Sequence, residues 1–128
     1  MRKIILMGLA VIILAGCATP HPVRNIDAEP VVGPAGRAVS LDEVGKAILR
    51  AGATLGWQMK HMEPGYILGT LKLRSHIAIV DIRYTTKNYS ITYKDSTNLN
   101  YDGTNIHSNY NGWISNLDRA IKTQLAIL

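Results

Sequence analysis

One cysteine, Cys17, stands in the whole chain, so no disulfide can close within it and the fold has to hold by its core alone. No apolar run reaches the ~20 residues that a helix needs to span a bilayer; the run at residues 4–14 is roughly half that. There is no G-x-S-x-G elbow, no phosphate-cradling glycine loop, no dinucleotide fingerprint and no H-x-x-x-H pair. Carboxylates are sparse: seven occur in residues 40–128, and none forms an evident acid/base couple. Internal repeats and low-complexity tracts are missing too. These absences point away from an enzyme, and no cofactor is expected. Charge is weak in both signs. Lys and Arg number 14 against 9 Asp and Glu, and two of the cations, Arg2 and Lys3, precede the apolar run at residues 4–14. The remaining balance of about +3 suits a protein near anionic lipid and is too small to argue nucleic-acid binding.

What is present begins at the N-terminus. Met1-Arg2-Lys3 is a short basic segment, residues 4–14 have the length of a signal-peptide apolar region, and Leu14-Ala15-Gly16-Cys17 follows. This arrangement resembles the lipobox of bacterial lipoproteins. The resemblance implies a signal peptide over residues 1–16, cleavage before Cys17, and a diacylglyceryl group on the Cys17 sulfur, commonly followed by acylation of the new α-amino group. The partner it implies is therefore a lipid bilayer, held through the acyl chains of Cys17. Each buried CH₂ contributes ~0.8 kcal/mol, so two or three chains anchor where one would not. Within that class the residue after the cysteine influences sorting. Ala18 is not the aspartate associated with inner-membrane retention, which points to the outer membrane, facing the periplasm.

Residues 17–39 are expected to be the lipidated cysteine and a flexible tether. Pro20, Pro22, Pro30, Pro34, Gly33 and Gly36 interrupt every periodic pattern there. Fully extended, such a tether reaches ~70–80 Å at 3.3–3.6 Å per residue. A single domain is expected over residues 40–128. Ser40-Leu41-Asp42-Glu43 has the capping-box form, and Leu41, Val44, Ile48, Ala51 and Leu55 recur at helical spacing before Gly56.

Residues 57–94 read as four strands. Ile67, Gly69, Leu71 and Leu73 share one face, as do Ala78, Val80, Ile82 and Tyr84, and Tyr89, Ile91 and Tyr93. A four-residue loop over 85–88 places Tyr84 opposite Tyr89, Ile82 opposite Ile91 and Val80 opposite Tyr93. A polar loop over 95–105 precedes a second helix, whose stripe is Ile106, Tyr110, Trp113, Ile114, Leu117, Ile121 and Leu125. The expected fold is α+β, a two-layer sandwich of helix, four-stranded antiparallel meander and helix, with both helices on one sheet face. In lipobox, size and element order the chain resembles small α+β lipoproteins of proteobacterial envelopes.

Three places invite chemistry. Of His21, His61, His76 and His107, topology lets only His76 and His107 meet, and a metal-dependent binder or enzyme at that end is one alternative. Asn98-Leu99-Asn100-Tyr101-Asp102-Gly103 echoes half of a calcium loop, but the twelfth position is Asn109, which lacks a bidentate carboxylate. A turn at Asp102-Gly103 is the simpler expectation, and no metal site is assigned. The outer sheet face is the more informative candidate. Alternation places Tyr66, Leu68, Ile77 and Ile79 there on adjacent strands, ringed by Lys72, Arg83 and Lys94. An apolar patch with a basic rim suits an envelope protein or a second copy of the chain, unless the tether covers it. The function expected is a membrane-anchored, non-catalytic binding or structural module. A lysozyme-inhibitor role, which some envelope lipoproteins play, is a further alternative.

Overall fold

Ser40 starts the first helix, α1 (Leu41–Thr54), as its sequence dictates: the Ser40 hydroxyl accepts from the Glu43 amide at 3.1 Å, and the Ser40 amide donates to Glu43 Oε1 at 3.2 Å. Arg37 adds a 2.9 Å ion pair to the same carboxylate. The Arg37 hydrogen bond, followed by that of the Ser40 backbone, holds the Glu43 carboxyl at about 2, far below its usual value. Gly56, at φ +84°, follows the helix end.

The computed structural model describes residues 19–128; the expected signal peptide and Cys17 lie outside the described residues. After α1 come β3 (Gln58–Glu63), β4 (Tyr66–Leu73), β5 (His76–Tyr84) and β6 (Asn88–Thr97), paired antiparallel in chain order. The pairs Tyr84–Tyr89, Ile82–Ile91 and Val80–Tyr93 form in the register that alternation predicts. Ala78, Val80, Ile82, Tyr84, Tyr89 and Ile91 all point into the core and are buried. The second helix, α2 (Ser108–Ala126), packs against α1 and buries Tyr110, Ile114, Leu117, Ile121 and Leu125.

The meander is not the whole sheet, and the expected helix–meander–helix architecture is corrected. The described chain has seven strands in two sheets with two α-helices. The additional strands come from segments read as tether, loop and helix. β2 (Ile26–Pro30) pairs with the free edge of β6, giving a five-stranded sheet of order β2-β6-β5-β4-β3. β1 (Pro20–Pro22) and β7 (Asn105–His107) form a separate two-stranded ribbon. Proline concealed these strands. It donates no hydrogen bond, but an edge strand leaves every second amide unpaired, so Pro20, Pro22 and Pro30 are tolerated there. In β2, Ile26 is the one buried residue and the backbone bulges at Ala28, φ +47°, so no alternation survives to be read. β7 is short enough that its buried Ile106 falls in line with the helical stripe that follows.

Side chains fix β2 in place. The buried Tyr89 donates to Asp118 at 2.5 Å, Asp118 accepts from Lys122 at 3.0 Å, and Lys122 reaches Glu29 at 2.8 Å. This chain of contacts ties β6, α2 and β2 together. It raises the Lys122 pKa, with the Glu29 contact as the largest cause. Burial, reinforced by the Asp118 carboxylate, pushes the Tyr89 hydroxyl well above its ordinary value.

Candidate functional site

The outer face of the five-stranded sheet carries the residues that alternation places there. Across β4 and β5, Tyr66 stands opposite Arg83, Leu68 opposite Asp81 and Lys72 opposite Ile77. A β-bulge between Ile79 and Val80 shifts the β5–β6 register, yet Lys94 still reaches Asp81 at 3.6 Å. Tyr66 donates its hydroxyl to Asp81, and the Arg83 guanidinium lies 4.3 Å from the Tyr66 ring centroid. Thus two of the three cations expected to rim the patch are engaged within the face, Arg83 on an aromatic ring and Lys94 on a carboxylate. The Tyr66 pKa is raised, first by its bond to Asp81.

The apolar members are also less open than a free docking patch. Tyr66, Leu68, Ile77 and Ile79 are all half-buried. Lys60 and Lys72 are the cross-strand neighbours of Leu68 and Ile77, and long lysine stems cover apolar neighbours while the charge stays in water. Residues 20–39 do not supply the cover. They pair along β7 and β6 and continue to the helix layer, where Val39 joins the core and the turn at Pro34–Gly36 meets α2.

At one end of the sheet the structure brings His76 and His107 together, with ring centroids 6.0 Å apart and the Trp113 ring 6.3 Å from His76. Both rings have backbone partners. His76 Nδ1 lies 2.7 Å from the Asn98 carbonyl, and His107 Nδ1 accepts from the Asn109 amide at 3.1 Å, capping α2. These contacts lock the hairpin tip and the loop at 98–104 to the start of the helix. Among the described residues no group of three or more His, Cys, Asp or Glu side chains is placed to hold a metal ion. His21 lies in β1, and His61 belongs to β3 near the opposite end of the sheet. In the calcium-like stretch, Asp102 accepts from the amides of Asn105 at 2.7 Å and Thr104 at 2.9 Å. Those bonds lower its pKa and make it the pivot of a turn.

One feature has no signature in the sequence. A cleft of about 370 Å³ opens between the first turns of α1 and the β3–β4 turn, lined among others by Leu41, Leu49, His61 and Tyr84. Its two charged lining residues, Asp42 and Lys46, pair with each other at 2.9 Å. Only the tertiary approach of α1 to the sheet creates it, and no spacing within either segment records that approach. Compared with known proteins, the chain matches no family model, no curated protein and no solved structure.

Proposed function

We propose that this protein is a lipid-anchored envelope lipoprotein, held through Cys17 on the outer membrane and facing the periplasm, and that it acts by binding or by structure instead of by catalysis. The observation that carries the proposal is Leu14-Ala15-Gly16-Cys17, placed behind a basic start and an apolar run of signal-peptide length. Two structural facts favour the non-catalytic half. Of the two histidines that meet at the sheet end, His107 spends its Nδ1 lone pair on the Asn109 amide, so its neutral ring has no second lone pair to act as a base or metal ligand. The charged residues of the outer face are tied to one another, not gathered around a reacting position.

Replacing the modified residue is the direct test. In a Cys17→Ser variant there is no thiol to receive a diacylglyceryl group. The variant is expected to keep residues 1–16 and to leave the outer-membrane fraction of a density gradient. A variant that is processed and distributed like the unaltered protein would overturn the proposal.

A further inference from the structure

The first described strand lies close in sequence to the residue proposed to carry lipid. Cys17 precedes Pro20 by three positions, and β1 starts at Pro20. Even fully extended, that interval covers only ~10–11 Å at 3.3–3.6 Å per residue. A domain so linked has no room to stand away from the bilayer, so one end of it has to meet the surface. This step rests on the lipid anchor proposed above.

Pairing identifies the end. Pro20 lies opposite His107, whose ring is beside His76, and His76 closes the β4–β5 hairpin opposite Leu73. The end nearest Cys17 therefore comprises the hairpin tip at residues 73–76, the loop at 98–104 and the β1–β7 ribbon. At the opposite end lie the β3–β4 and β5–β6 turns and the first turn of α1, where Gly45 meets Tyr84.

The chemistry of the two ends differs. Leu73 is 47% exposed and Tyr101 39% exposed at the near end. Lys72 and Arg74 are exposed beside them, and neither takes part in an ion pair among the described residues. All three glutamates of the chain, Glu29, Glu43 and Glu63, belong to the far end, and the two aspartates at the near end, Asp95 and Asp102, accept hydrogen bonds from backbone amides of Ser96 and of Thr104 and Asn105. Arg74 occupies a two-residue hairpin turn at φ +56°, a conformation that favours glycine or asparagine. An arginine at this position puts a guanidinium at the tip against the local backbone preference. An exposed aliphatic, an aromatic with a polar end and unpaired cations suit the headgroup layer of an anionic bilayer.

We propose that the hairpin tip at residues 73–76, together with Tyr101 of the adjoining loop, is a membrane-apposed surface that lies against anionic lipid and fixes the orientation of the domain. The hairpin tip meets the headgroups, the β3–β4 turn points into the periplasm, and the sheet stands on end upon the bilayer.

Fluorescence quenching in vesicles tests this. With the Cys17 sulfur consumed in the thioether to its diacylglyceryl group, a cysteine introduced by Leu73→Cys, Tyr101→Cys or Met62→Cys is the single free thiol. Met62 is the control, 45% exposed and near the far end in β3. Each variant of the full chain, purified in lipidated form and labelled with a fluorophore, is reconstituted in phosphatidylethanolamine–phosphatidylglycerol vesicles that carry a headgroup nitroxide lipid. Quenching is expected to be several-fold stronger for the Leu73→Cys and Tyr101→Cys variants than for Met62→Cys. Equal quenching at the three positions, or stronger quenching of Met62→Cys, overturns the orientation. Mass spectrometry of the N-terminal peptide from the same preparation separates the two claims. An acylated Cys17 with uniform quenching removes the orientation alone, whereas an unacylated Cys17 removes the anchor and the orientation with it.

Discussion

Tyr89 and Tyr110 are both fully buried tyrosines, yet their hydroxyls have opposite circumstances. Tyr89 gives its proton to Asp118, while the Tyr110 hydroxyl, packed near the Tyr93 ring, has no hydrogen-bond partner. A bond to a charged acceptor is worth ~1.5–3 kcal/mol, and an unsatisfied buried hydroxyl is a cost that its removal recovers. Tyr89→Phe is therefore expected to destabilise the fold by about 2 kcal/mol. Tyr110→Phe is expected to be neutral or to stabilise by up to ~1 kcal/mol. Urea unfolding checks both, and a larger loss for Tyr110→Phe than for Tyr89→Phe would contradict the assignment. Inward placement of both residues was legible, Tyr89 from strand alternation and Tyr110 from the helical stripe. Which one finds a partner was not, because Asp118 and Tyr89 come from elements whose relative placement no local pattern encodes.

Legibility among the elements follows the same division. The β5–β6 register was readable because one buried face and a fixed loop length leave a single solution, and a one-residue slip would turn Ile82 and Tyr84 outward. β1 and β2 were hidden because edge strands need neither continuous amide donors nor an alternating pattern, and a proline-rich strand looks like a tether. The outer-face positions were legible from alternation, but the ties of Arg83 to Tyr66 and Lys94 to Asp81 depend on cross-strand and bulge geometry. Two glycines show how closely the helices are fitted. A Cβ at Gly45 would lie 2.6 Å from the Tyr84 hydroxyl, whereas one at Gly112 meets nothing within 4 Å. Gly112→Ala should stabilise α2 by ~0.5–1 kcal/mol through helix propensity. Gly45→Ala gains the same propensity but forces α1 away from the buried Tyr84, for a net loss of ~1–2 kcal/mol. Thermal melting should move in opposite directions for the two variants. A rise in both would mean that α1 sits farther from the sheet than described.

Strands β1 and β2 place Pro20–Pro22 and Ile26–Pro30 in the fold, so the segment expected to hold the domain up to ~70–80 Å from the membrane is largely built into it. On the anchor proposed at Cys17, that change would seat the domain close to the bilayer, with the β1–β7 ribbon and the β4–β5 hairpin tip toward lipid. The resemblance to a lipobox is carried by consecutive residues, because peptidase and acyl-transfer recognition read the chain locally. The proposed seating has no such local signature, since it depends on where β1 pairs. Both rest on the chemistry of Cys17, and the mass of the mature N-terminal peptide from the native host tests that chemistry most directly. A peptide beginning at Cys17 and heavier by a diacylglyceryl group, with or without an amide-linked acyl chain, is the predicted result. A free thiol at Cys17, or a peptide that still carries residues 1–16, would contradict it.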